Sequence, residues 1–255
     1  MYLIAEIGVN FYDIAKKYNI SPLDACKLMI KEAKDSGCSC VKFQSYKADT
    51  LACKKSPAYW DTTKETTQSQ YELFKKFDSF GENEFKFIYD YSKSIGIDFI
   101  STPFDINSAN YLDKYQDMYK ISSSDLTNYQ LLKCCALKKK PILLSTGASN
   151  INEIKESIKF LEENGCPKVI PMHCVLNYPT LNEYANLNMI DDIKQNFPDY
   201  EIGYSDHTCP DEHMLILTTA YNKGALFIEK HFTLDKTIPG NDHYHSGDPK
   251  DFKKF

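Results

Sequence analysis

The sequence predicts an α/β protein of the (β/α)8 TIM-barrel class. Short apolar runs alternate with helix-patterned segments eight times, the chain of 255 residues has the length of one such barrel, and nearly every apolar run ends in a polar or charged group. An open doubly wound sheet is the competing architecture, but such sheets usually have fewer strands. No linker divides residues 1–255, so a single catalytic-size domain is expected.

YLIAEIG (2–8) is short and apolar and reads as the first strand. Ser21-Pro22 opens a helix, with serine as cap and proline in the first turn, and Gly37 closes it. CVKFQSY (40–46) is the second strand. The polar stretch 48–72, rich in Thr, Ser and Lys, reads as a long loop beside a site. ENEFKFIYDYSKSIG is a helix ending at Gly96, DFISTPF a strand and NSANYLDKY a helix. MYKISSS, PILLSTG, KVIPMHCV, EIGYSD and ALFIEKHF are the remaining strands. Between them lie the helices NYQLLKCCALKKK, NINEIKESIKFLEENG, NLNMIDDIKQNF and DEHMLILTTAYNKG. DPKDFKKF begins a last helix, which the chain end cuts short.

Composition narrows the class of function. Apolar content of 42% and charged content of 25% are ordinary for a globular enzyme, and a formal net charge of −5 gives no basis for a nucleic-acid partner. All 30 basic residues are lysine, so an anion must be held by ammonium groups, hydroxyls and backbone amides, without a bidentate guanidinium. Nine unpatterned cysteines read as reduced thiols, which places the protein in the cytoplasm. MYLIAEIGVN lacks the features of a signal peptide, and no apolar run reaches membrane-spanning length.

In a (β/α)8 barrel the chemistry sits where strands end. Those positions give Glu6, Lys42 with Gln44, Ser101-Thr102, Lys120 with Ser122-Ser123, Ser145-Thr146, His173, Ser205-Asp206-His207, and Glu229-Lys230-His231. Single serines and threonines there are as readily explained by solvent. Lys42 and Lys120 are not, because each lies between apolar neighbours and points an ammonium into the barrel mouth, where an unpaired charge is costly. A small molecule carrying phosphate and carboxylate would resolve that cost. His207 and His231 end two neighbouring strands, and two neutral imidazoles can hold a divalent metal with coordination sites to spare. A lone histidine is more often a hydrogen-bonded structural residue. Glu6 is expected on the wall opposite these histidines. His243 and His245 are taken as exposed loop residues near the site, not ligands, and His213 as a surface residue. Metal plus anion pocket fits aldol-type condensation, isomerisation or phosphoryl chemistry, and spacing alone does not choose.

The motifs AEIGVN, VKFQSYKA, STPFD, YKISSSDLTN, ILLSTGAS, HCVLNYPT, IGYSDHT and IEKHFTLDKTIPGNDH occur in the order found in the N-acetylneuraminate (sialic acid) synthase family, which includes the legionaminic and pseudaminic acid synthases. The resemblance runs from Ala5 to Phe252. It implies a metal-dependent transferase joining phosphoenolpyruvate (PEP) to the open-chain form of N-acetylmannosamine or a 2,4-diacetamido relative. The implied product is a nine-carbon 2-keto sugar acid, with phosphate released. By resemblance His207 and His231 bind Mn²⁺ or Mg²⁺. Lys42, Thr102, Lys120, Ser123, Ser145 and Ser205 hold PEP, Gln44 orders the site, and Tyr178 and Asp242 contact the sugar. Glu6 sits beside the metal and the reacting carbons, where it either positions or deprotonates the water that attacks C2 of PEP or serves only as a structural hydrogen-bond partner.

Two departures qualify the carry-over. Leu176 stands where other members carry Asn or Ser, so one PEP contact is lost or passes to Asn177. Members also continue into a C-terminal antifreeze-like domain, which in a homodimer brings an arginine to the partner's sugar site; none is present by Phe255. The expectation is a chain that binds metal and PEP but turns over slowly, the alternative being a barrel that acts as a binding or assembly subunit and needs a separate lid.

Overall fold

The computed structural model describes residues 1–63, 65–240 and 242–255. Among them are eight parallel strands: β1 (Tyr2–Gly8), β2 (Cys40–Ser45), β3 (Asp98–Pro103), β4 (Tyr119–Ile121), β5 (Ile142–Ser145), β6 (Val169–Cys174), β7 (Ile202–Asp206) and β8 (Ala225–His231). They hydrogen-bond in the order β3-β2-β1-β8-β7-β6-β5-β4. The first and last strands are therefore neighbours, and the sheet curls into a nearly closed (β/α)8 barrel. At the seam between β3 and β4, the Ser101 amide donates to the Gln116 side chain at 2.8 Å.

Side chains alternate between the two faces of a strand, and that period organises both layers. Leu3, Ala5 and Ile7 of β1, Val41 and Phe43 of β2, and Ile142 and Leu144 of β5 face outward into a core shared with the helices. The other parity faces the lumen. Its lower part is an apolar plug of Ile4, Cys40, Ile100, Leu143, Ile170 and Met172, with Phe227 packed against it. Two residues further along, the same inward rows carry Glu6, Lys42, Thr102, Ser145 and Glu229, with His231 two beyond Glu229. Thus a packed floor supports a polar mouth. Gly203 belongs to the floor: a Cβ there would lie 2.7 Å from Met172 Cγ and 3.0 Å from the Phe227 carbonyl oxygen.

The helices follow the sequence reading with three additions. Helix Phe11–Tyr18 was not expected, because its N-cap Asn10 makes no capping bond. The Asn10 amide instead donates to the Phe232 carbonyl at 3.0 Å, tying this helix to the end of β8. The stretch expected as a loop over 48–72 contains helix Ala48–Leu51 and the start of helix Gln70–Lys76. The final helix, Pro249–Lys254, is short but capped at both functions of a capping box, with the Asp248 carboxylate accepting from the Lys250 and Asp251 amides. No helix among the described residues is long and apolar enough to cross a membrane.

Candidate active site

The polar mouth is a cavity of about 540 Å³. Glu6, Lys42, Gln44, Thr102, Lys120, Ser123, Ser145, Tyr178, Ser205, His207, His231 and Asp242 all line it. The twelve come from seven strands or strand ends and two loops, so only barrel closure brings them together.

One side of the cavity is a lattice of charges. Lys42 Nζ lies 2.8 Å from Glu6 Oε2 and 3.6 Å from Glu229 Oε1, and donates to Thr102 Oγ1 at 3.1 Å. Gln44 donates to Glu6 Oε1 at 2.9 Å and Ser205 to Glu229 Oε1 at 3.0 Å. The expectation of uncompensated lysines is therefore corrected at Lys42, which two carboxylates flank. Burial pushes the Lys42 amine down, but Glu229 and Glu6 outweigh it and hold it above the usual lysine range. Lys120 differs. Its nearest carboxylate oxygen, Glu229 Oε2, is 3.7 Å away, and burial holds its amine below the usual range despite Glu229. The neighbouring Ser145 hydroxyl is buried with no hydrogen-bond partner among the described residues. Lys120 and Ser145 are thus the under-satisfied end, where an added anion gains most.

Glu229 was read only as a polar strand end. Its role between two lysines depends on lateral register, Ser205 with Glu229 across β7 and β8, which chain order does not reveal. Burial opposes its ionisation, yet Lys120 and Lys42 bring its carboxyl below the usual range. Glu6 is the converse: burial and the Glu229 charge raise its carboxyl above the usual range, against the pull of Lys42. Glu6 is not on the far wall. β1 pairs with β8, and Glu6 is the register partner of His231. Gly8 ends β1 at φ +55°, and a Cβ there would stand 3.1 Å from Glu6 Oε1 and 3.2 Å from Gln44 Nε2, so glycine leaves room for that hydrogen bond.

The other side is imidazole-rich. His207 Nδ1 donates to the Val175 carbonyl at 2.6 Å, which fixes the tautomer and leaves the Nε2 lone pair for a ligand. The Tyr178 ring packs on His207 at 4.0 Å between centroids, and the His207 and His231 rings are 5.7 Å apart. Burial pushes the His207 imidazole down to about 4 and that of His231 well below its ordinary value, so both are neutral near pH 7 and able to ligate. Burial and the Glu6 charge raise the Asp242 carboxyl to about 6. His231 Nδ1 is buried with no hydrogen-bond partner among the described residues. His231, Asp242 and His245 form a group whose ligand atoms lie within 4.8 Å of one another, a donor set fit for a divalent ion.

His243 and His245 are both fully buried, which corrects the expectation of exposed loop residues. His243 Nδ1 is bonded to Thr233 Oγ1 at 2.7 Å and serves the fold. Ser123 lies in a 3₁₀ turn after β4. Leu176 faces the cavity at its rim, 46% exposed, and brings no hydrogen-bonding group there. His213 is exposed, as expected.

Behind the histidines, on the outward parity, Lys230 Nζ and Asp206 Oδ2 meet at 2.6 Å with side chains essentially inaccessible to solvent. Asp206 also accepts from Tyr204 Oη at 2.8 Å and from the Thr208 amide and hydroxyl at 3.1 and 3.0 Å. This satisfied pair joins the ends of β7 and β8, from which His207 and His231 project.

Residues 29–255 match the model of the NeuB family. The chain is 42% identical over 255 residues to an uncharacterized protein of Methanocaldococcus jannaschii, covering 100% of this chain and 68% of that one. It is 34% identical over 261 residues to the N,N'-diacetyllegionaminic acid synthase of Legionella pneumophila, covering 100% of this chain and 70% of the relative. Among solved structures, N-acetylneuraminic acid (sialic acid) synthetase from Leptospira borgpetersenii, in complex with citrate, superposes with a TM-score of 0.82 at 31% identity, over 99% of this chain and 80% of that one.

Proposed function

The chain belongs to the NeuB family, and we propose that it condenses PEP with the open-chain form of an N-acetylated hexosamine, N-acetylmannosamine or a 2,4-diacetamido relative, to give a nine-carbon 2-keto sugar acid and inorganic phosphate. The observation that carries this reading is the division of one cavity into an under-satisfied lysine–hydroxyl end and an imidazole–carboxylate end.

At the first end Lys120, Ser145, Ser123 and Thr102 hold the phosphate and carboxylate of PEP, with Lys42 held in place by Glu6 and Glu229. Neutralising those anions favours electron flow from the enol toward C3, which forms the new bond to the acceptor's C1. C2 then takes the oxygen of water, and the C–O bond to phosphate breaks. Glu6, with its raised carboxyl and its hydrogen bond from Gln44, is placed to orient that water or take its proton. Tyr178 and Asp242 face the acceptor. His207 and His231 would hold Mn²⁺ or Mg²⁺, which when bound supplies Lewis acidity to the acceptor's carbonyl oxygen.

The test is phosphate release from PEP with protein and acceptor at comparable concentrations, over a panel of N-acetyl and di-N-acetyl hexoses. Release that requires one acceptor of the panel and an added divalent cation is expected. Release independent of acceptor, or no release with any of them, contradicts the reading.

A further inference from the structure

The loop after β8 packs one more imidazole, His245, behind the cavity lining against His231 and Asp242. His245 is fully buried, and neither ring nitrogen has a hydrogen-bond partner among the described residues. An unsatisfied buried polar group is costly, and an imidazole needs at least one partner for its N–H. Packing alone leaves that cost uncompensated. The His245 ring stands edge-on to His231 at 4.9 Å between centroids, and to Tyr178 at 5.8 Å. His245 Nε2 is 3.9 Å from Asp242 Oδ1, and the unpaired His231 Nδ1 is 3.8 Å from Asp242 Oδ2. Such separations approach those of neighbouring ligands on one ion, each about 2.1 Å from it.

We propose that His245 is a third protein ligand, with His231 and Asp242, to the divalent cation of the synthase site. This rests on the function proposed above and revises its cation site, keeping His231 and putting Asp242 and His245 in place of His207. Two imidazoles and one carboxylate suit a first-row transition ion, borderline Co²⁺ above all and Mn²⁺ next, better than Mg²⁺, which prefers oxygen donors and keeps its waters. Three protein ligands still leave positions on a six-coordinate ion for substrate.

The experiment titrates chelator-treated protein with Mn²⁺ by calorimetry and with Co²⁺ by visible absorption, in the wild type, His245→Ala and His245→Gln. His245→Gln keeps the side chain's bulk if the alanine variant loosens the loop, and circular dichroism reports the fold of each. One ion per chain is expected for the wild type. Both variants should bind Mn²⁺ at least tenfold more weakly, with a changed Co²⁺ spectrum, while exposed His213→Ala behaves as wild type. Wild-type affinity and spectrum in both variants overturn the inference and leave the synthase reading standing with its cation on His207 and His231. A wild type that binds neither ion overturns the inference together with the cation in that reading.

Discussion

Lys42 and Lys120 have the same residue type, the same inward parity and similar burial, yet different charge environments. Lys42 sits against Glu6 at 2.8 Å, whereas Lys120 has a single carboxylate at 3.7 Å. Lys120→Met should therefore weaken PEP binding about tenfold to a hundredfold, the worth of one charge-assisted hydrogen bond, in equilibrium calorimetry. Burial holds the free Lys120 amine below its usual range, and a bound anion favours the ammonium. Between the free and bound values binding takes up a proton, so PEP affinity falls as pH rises from the free value toward the bound one. Repeating the titration in buffers of different ionisation enthalpy reads that proton, and the methionine variant should lose it. The two lysines and two histidines were legible because a charged or ligating side chain at a strand end has few structural explanations. Glu229 and His245 were not, since their meaning lies in a lateral register and in the burial of a loop, neither of which is encoded in local spacing.

At the scale of elements, the two-residue period of a strand did most of the positioning. Ile4 and Glu6, Cys40 and Lys42, or Leu143 and Ser145 each put an apolar residue in the floor and a polar one in the mouth. That pattern made the strands readable. Helix Phe11–Tyr18 escaped because Asn10 spends its side chain on Phe232 instead of capping. The outward parity carries its own device in the Lys230–Asp206 pair joining β7 to β8. Lys230→Met would leave a buried carboxylate unpaired, and about 3–5 kcal/mol of stability should be lost in urea unfolding. Asp206→Asn together with Lys230→Met should recover much of it, because the cost lies in the unpaired charge. A loss under 1 kcal/mol in the single variant would show that the pair does not hold these strand ends.

For the whole molecule, closure is what turns eight strand ends into one site. Glu6 and His231 lie near opposite ends of the chain. Pairing of β1 with β8 makes them register partners. An anion end and a cation end then face each other across about 540 Å³, room for a three-carbon donor beside an amino sugar. The central claim is that this cavity joins those two molecules with cleavage of the C–O bond of PEP. Mass spectrometry of the products formed from PEP labelled with ¹⁸O in its bridging oxygen tests it most directly. A nine-carbon keto acid without label, accompanied by labelled phosphate, is the predicted result. Label retained in the sugar acid, or no product of PEP plus acceptor mass, would contradict it.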